Sequence, residues 1–394
     1  MNYLKKGFFL LAVIFLVAFP KGGFKVADIP ITWGYVILFL SVPFILPTIF
    51  DHGKAYFSKE RRLTLGLCLP FIVYSIFILL LGTHESVGFL ISFILNILIM
   101  PILFMFIFGK LIDSRNFESL FKKVFIACVR FIIIFGLFIF VQRILTGNGL
   151  EIPYLTVNID DFGHIDEKFN LRGNIMKFTS TYNNGNIFGV CMLLLAPLYT
   201  QIEKYKVYKI LFFISIALTL SRTSWIGIIL FFMLLFKKNL TTIKGWSILI
   251  LSIASLVIVT PILLSLLDLD MSFLFDKNLG GRSGQLNVFD NFTFFGSGHY
   301  DVIAEIVYAS VLQTFGFVGL LLFLVYMFSA LIVCLIYKKR KVNLTYDHWG
   351  LILYPILCIS DGAMLFIPTM VFFWFLSSYV LRRQFDVTNT VQVN

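Results

Sequence analysis

Charge is scarce in this 394-residue sequence, with Asp, Glu, Lys and Arg together making up 13% of it. A soluble domain of that length needs far more polar residues to cover its surface. Cysteine is scarce too. The five present, Cys68, Cys128, Cys191, Cys334 and Cys358, all fall inside apolar runs, which suggests neither a disulfide framework nor a zinc site. Five histidines are scattered without metal-ligand spacing, and there is no Walker or dinucleotide-type glycine motif. Nothing here points to a resident metal, a nucleotide or any other cofactor.

Apolar residues fill the space left by charge. The chain is 59% hydrophobic, with 47 Phe and a mean hydropathy of +0.92. Hydrocarbon as solvent makes such a composition workable, and runs of roughly 20 apolar residues then become the expected unit. Such runs lie near 7–22, 30–50, 63–82, 87–109, 124–145, 186–201, 207–221, 223–236, 246–267, 306–337, 349–361 and 363–381. They predict an all-α polytopic membrane protein of about twelve transmembrane helices, forming one integral domain over residues 1–394. The seventh and eighth runs are short and meet at the tight turn Ser221–Ser224; the tenth has room for an extra helical turn before Gly316. The first lacks a small-residue cleavage site and reads as a retained helix.

Loop charge sets an orientation, because cytoplasmic loops collect Lys and Arg. With the N-terminus inside, every inner segment is basic: Lys5 and Lys6; Lys54, Lys59, Arg61 and Arg62; Lys110, Arg115, Lys122 and Lys123; Lys204, Lys206 and Lys209; Lys237, Lys238 and Lys244; Lys338 to Lys341; Arg382 and Arg383. Fewer fall outside: Lys21, Lys25, Arg143, Lys168, Arg172, Lys177, Arg222, Lys277 and Arg282. Arg130, about two turns into the fifth run, is expected to snorkel to the cytoplasmic surface. Both termini are therefore expected in the cytoplasm. Topology accounts for the net charge of +11, so no nucleic-acid partner is implied.

Two long outer loops, 146–185 and 268–305, concentrate groups suited to sugars and phosphates, and long loops in compact proteins are usually functional or disordered. Their aromatics (Tyr154, Phe162, Phe169, Phe289, Phe294 and Phe295) are expected to be buried and to dock the loops.

Three stretches carry a resemblance. The first is Arg172-Gly173, then Ser180-Thr181-Tyr182-Asn183-Asn184-Gly185-Asn186-Ile187-Phe188 leading into an apolar run. The second is Thr219-Leu220-Ser221-Arg222-Thr223-Ser224-Trp225-Ile226-Gly227. The third runs from Gly281-Arg282-Ser283 through Gly296-Ser297-Gly298 and Glu305 to Gly316-Phe317-Val318-Gly319-Leu320. Their order and spacing over roughly residues 170–325 resemble the O-antigen polymerase and O-antigen ligase superfamily, membrane glycosyltransferases of a GT-C-like helical fold. The ligase branch is expected to carry His about eleven residues before the Gly opening the last motif. Here that position is Glu305, with His299 and Asp301 upstream, which favours the polymerase branch.

The resemblance implies transfer of a glycan from an undecaprenyl-diphosphate-linked oligosaccharide at the outer face of a bacterial cytoplasmic membrane. Implied partners are that lipid-linked substrate, membrane lipid, and a chain-length regulator and flippase of the same pathway. Charge grows on the departing diphosphate as the glycosidic bond breaks, so fixed cations there favour the transition state over the ground state. Arginine suits the task because its planar fork binds phosphate oxygens in pairs. The expected catalytic residues are Arg222, Arg282, Glu305 and His299, the last two as alternative bases. Arg172, Asn183, Asn184, Asn186 and Asp301 are expected to bind substrate. An activated diphosphate donor requires no ATP and, in principle, no metal.

Plainer roles stand beside these. Arg222 could anchor two short helices, the asparagines could cap a helix, Glu305 could answer a helix dipole, and Asp361 could be a turn residue unless it lies deeper. A secondary transporter or lipid-linked-sugar flippase also fits twelve spans with both ends inside, though the spans are poor in mid-membrane charge. A non-catalytic scaffold leaves the three ordered motifs unexplained.

Overall fold

A computed structural model describes residues 2–26, 29–51, 54–55, 57–83, 87–164, 171–172, 175–235, 283–298, 305–337 and 348–391. Among these the chain is a helical bundle: α1 (Asn2–Ala18), α2 (Trp33–Ile49), α3 (Lys59–Leu81), α4 (Val87–Ile107), α5 (Arg115–Thr146), α6 (Gly185–Ile202), α7 (Lys206–Ala217), α8 (Arg222–Leu235), α9 (Val307–Tyr337), α10 (His348–Leu357) and α11 (Thr369–Val391). Eleven of the expected apolar runs thus contain a helix; the run 246–267 lies outside the described residues. Five helices, α3, α4, α5, α6 and α9, are long and apolar enough to cross a membrane, and the others are shorter apolar helices. The molecule is an all-α, multi-pass membrane protein.

Packing contacts sort the ends of the bundle into two faces. On the basal face α1 begins and α11 ends: Phe9 packs on Phe117, and Tyr379 and Arg382 both reach Glu118. On the opposite loop face α1 ends and α6 begins, joined where the Tyr182 hydroxyl donates to the Val17 carbonyl at 3.1 Å. Helix α6 is the axis. It is buried from Gly185 to Tyr199, the signature of a helix apolar on all sides and enclosed by neighbours. Helix α3 shows the contrary pattern, with Leu69, Val73, Phe77 and Leu80 exposed along one stripe that suits lipid.

Helix α4 is interrupted by two π-helical segments, Ile94–Ile99 and Leu103–Ile107. A π segment loosens the backbone ladder, and here the Ile97 carbonyl accepts from the Tyr326 hydroxyl at 3.0 Å. Asn96, in the same segment, accepts from the Tyr35 hydroxyl at 3.2 Å and donates to the Ser92 carbonyl at 2.8 Å. Tyr35, Tyr326 and Asn96 thereby find partners inside an apolar bundle.

Three sequence expectations need correction. The second apolar run starts as a strand: β1 (Gly23–Val26) pairs antiparallel with β2 (Ile29–Thr32), and α2 begins only at Trp33. The fifth helix starts nine residues before the expected position 124, at Arg115. At about 1.5 Å per residue its 32 residues exceed a hydrocarbon core of about 30 Å. The loop aromatics are not buried. Tyr154, Phe162, Phe289, Phe294 and Phe295 are exposed, and Phe169 lies outside the described residues. Backbone groups do the docking instead: the Trp33 indole donates to the Tyr154 carbonyl at 2.7 Å, and the Tyr74 hydroxyl to the Phe295 carbonyl at 2.7 Å. A side chain's apolarity therefore gave the wrong cue.

Candidate functional site

The loop face gathers the three motif stretches, which lie far apart in sequence. Just before Ser180 of the first, the Phe178 backbone N–H donates at 3.0 Å to the carbonyl of Leu218, the residue preceding the second, and so holds the two side by side. A single 3-10 turn, Ser180–Tyr182, follows; the Ser180 hydroxyl anchors it to the Ile132 carbonyl at 2.7 Å. Asn183 then takes a left-handed conformation (φ 57°), a geometry Asn tolerates better than most residues. Asn184 is the N-cap of α6, its side chain accepting from the N–H groups of Asn186 and Ile187 at 2.8 and 3.2 Å. Asn186 accepts from the Lys177 ammonium at 3.4 Å, and both side chains are buried.

The three asparagines thus divide their work: Asn183 shapes the turn, Asn184 caps, and Asn186 meets a cation. Lys177 and the N-terminal end of the 18-residue α6 place positive charge in one buried spot. Arg143, near the C-terminus of α5, is also buried here. It lies 3.4 Å from the Thr179 hydroxyl and 3.6 Å from the Glu151 carboxylate. Gly149 leaves room for it, since a Cβ there would collide with the Arg143 Nε.

The second stretch is the turn between α7 and α8. Leu220 has φ 51°, which breaks the helix, and the Trp225 indole bridges back to the Ala217 carbonyl at 2.9 Å. This turn puts Arg222 at the first residue of α8, half-buried on the loop face. Its neighbour Thr223 shares a hydrogen bond of 2.9 Å with the Ser360 hydroxyl. The turn 358–362 therefore contacts the second motif.

That same turn receives the third motif. Gly362 N–H donates to the Glu305 carbonyl at 3.1 Å, and Val307 N–H donates to the Cys358 carbonyl at 3.2 Å. The Gln285 side chain accepts from Ile306 N–H at 3.1 Å. Further along, Gly316 has φ 68° and ψ −172° and breaks α9 where the tenth run has its extra turn. Segment 293–298 docks into this break: Phe317 N–H donates to Thr293, Val318 N–H to Phe294, and Gly298 N–H to Thr314. The motif's glycines explain one another, because a Cβ on Gly316 would collide with the Gly296 nitrogen.

Asp361 lies deeper than a plain turn residue, with 3% of its surface exposed. Glu305, by contrast, presents an exposed side chain at the rim. Of the other expected site residues, Arg172 is described only by its backbone, in a two-residue ladder where it pairs with Ile175. Arg282, His299 and Asp301 lie outside the described residues. Sequence reading passed over Lys177 and Arg143 as ordinary outer cations. The one available signal for Lys177 was its setting in Ile175-Met176-Lys177-Phe178, a charge inside an apolar run.

The loop face therefore offers Lys177, Arg143 and Arg222 as cations, Glu305 and Asp361 as carboxylates, and amides at Asn186 and Gln285. Such a set suits an anionic, hydroxyl-rich ligand. What the fold and this face define is the class, a helical multi-pass membrane protein with a polar loop-face site. No family model, curated protein or solved structure matches the chain.

Proposed function

We propose that this protein is a membrane polysaccharide polymerase. It would transfer a glycan from an undecaprenyl-diphosphate donor to a lipid-linked repeat-unit acceptor, with the loop face outside a bacterial cytoplasmic membrane. The observation that supports this reading is the nearness of the three motif stretches, the first two through the flanking contact Phe178–Leu218 and the last two by way of the turn 358–362, which bonds Thr223 through Ser360 and Glu305 through Gly362.

In this reaction the acceptor hydroxyl oxygen attacks the anomeric carbon of the donor. The bond from that carbon to the diphosphate oxygen breaks, and the lipid diphosphate leaves with the electron pair. The hydroxyl proton passes to a carboxylate, for which the exposed Glu305 is the nearest fit among the described residues. Arg222, with Arg282 and Arg172 in the same stretches, holds the leaving diphosphate, and Lys177 beside α6 adds to the positive field.

The test is direct. The purified protein in liposomes receives a lipid-diphosphate oligosaccharide without nucleotide, and products are separated by length. A ladder supports polymerisation. Transfer only to a different added acceptor would support the ligase branch instead. Unchanged substrate beside an active control polymerase would overturn glycosyl transfer, leaving flux assays in sealed vesicles to test transport.

A further inference from the structure

The basal face holds a recess of about 480 Å³ between the first turns of α5 and the end of α6. Lys122 and Lys123 from α5 line one side and Lys204, just past α6, the other. One carboxylate shares the site, and its charge is already engaged. Glu118 takes the Lys122 ammonium at 2.6 Å, the Arg382 guanidinium at 2.9 Å and the Tyr379 hydroxyl at 2.9 Å. Three lysines against one saturated carboxylate leave the recess cationic.

Its neutral lining completes a donor set. The Ser119 hydroxyl and Gln201 amide add hydrogen-bonding groups, while Ile126 and Ile202 form an apolar part of the wall. Ammonium groups, a hydroxyl and an amide around one cavity match the oxygens of a phosphate ester. Apolar side chains beside them match what a lipid phosphate carries next to its charge. Basic pockets between membrane helices are a recurrent way of holding such headgroups.

We propose that this recess binds the phosphate headgroup of an anionic membrane lipid at the basal face. It is separate from the loop-face site and stands whether or not the protein is a polymerase. Lys123 and Lys204 supply charge that no carboxylate of the recess neutralises, and Lys122 keeps N–H groups beyond the one it gives Glu118.

Native mass spectrometry of the purified full chain, titrated with phosphatidylglycerol and separately with phosphatidylcholine, tests this. The wild type should retain phosphatidylglycerol preferentially. The double variant Lys123→Gln/Lys204→Gln, which keeps the Lys122–Glu118 pair, should lose about tenfold in that retention. A control, Lys59→Gln/Arg62→Gln elsewhere on the basal side, should retain it as the wild type does. Competition with inorganic phosphate separates the sources: no displacement at millimolar phosphate supports the lipid, whereas displacement with direct phosphate binding makes a free phosphate the ligand and overturns the lipid assignment. Equal retention of the two lipids, or a double variant that binds as the wild type does, would overturn the site.

Discussion

Two arginines of the basal face and two buried cations of the loop face are partnered differently. On the basal face, apart from the lysines of the recess, two arginines sit in short ion pairs with carboxylates. Arg61 binds Asp113 through two bonds of 2.7 and 2.8 Å, with Ser378 behind it, and Arg130 grips Glu203 through two bonds of 2.8 and 2.7 Å. Arg130 also stacks over Tyr205 and Tyr208, its guanidinium 5.1 and 4.3 Å from their ring centres. On the loop face Lys25 also meets Asp161 at 2.8 Å, but the buried Lys177 lies 3.4 Å from an amide, and the buried Arg143 lies 3.4 Å from a hydroxyl and 3.6 Å from a carboxylate. Tight pairing fixes helix ends and uses up the field of the charge. A neutral amide or hydroxyl orders a cation without cancelling its charge.

The sharpest way to break this comparison is to remove a basal carboxylate. Asp113→Ala strips Arg61, whose side chain is 3% exposed, of its bidentate partner. Stability should fall by about 1–3 kcal/mol, the usual consequence of leaving a buried polar group without its partner. Thermal unfolding of the detergent-purified protein would measure it, and an unchanged midpoint would mean that the basal pairs are ornamental.

The loop face should respond the opposite way. Arg222→Ala, and separately Lys177→Met, should lower polymer formation by about 10²-fold or more while leaving the unfolding midpoint close to wild type. The ladder assay and the melt, run on the same preparation, make the contrast. Loss of stability without loss of rate would reassign these cations to packing.

A third test uses pH. The Arg130 guanidinium holds the Glu203 carboxyl down from an ordinary 4.5 to about 2. A depressed carboxyl contributes its stability above about 4.5, and that contribution is lost as pH falls toward about 2. The wild-type melting temperature should drop across that acid window, and Arg130→Gln should flatten the drop. Parallel curves for the two proteins would show that the pair carries no pH-linked stability.

How much of this was legible in the sequence depends on range. Helices announce themselves through apolar runs, so α3, α6 and α9 were readable, and the extra turn before Gly316 was readable from glycine and length. The strand β2 was not: Ile29-Pro30-Ile31-Thr32 is as apolar as the helix it precedes, and only pairing with Gly23–Val26 makes it a strand. At the site, Arg222 and the asparagines stood out because polar residues at helix ends are conspicuous. Lys177 did not, because its burial comes from the segment packing on Leu218, a contact 40 residues distant. Asp361 was ambiguous for the same reason; a turn shows in sequence, and its depth does not.

The smallest expected effect concerns the asparagines, and it sharpens the comparison within a few residues. Asn184 accepts two backbone N–H groups at the start of α6, whereas Asn186 accepts from Lys177. Asn184→Ala should therefore cost about 1 kcal/mol of stability, the ordinary value of an N-cap, and Asn184→Asp should restore it. Asn186→Ala should leave the cap intact and alter the ladder assay through Lys177. Two asparagines separated by one glycine would then divide along the same line as the two faces, one holding the fold and one holding the charge. If both variants changed only the melt, the loop face would be a cap and the site would have to be sought elsewhere.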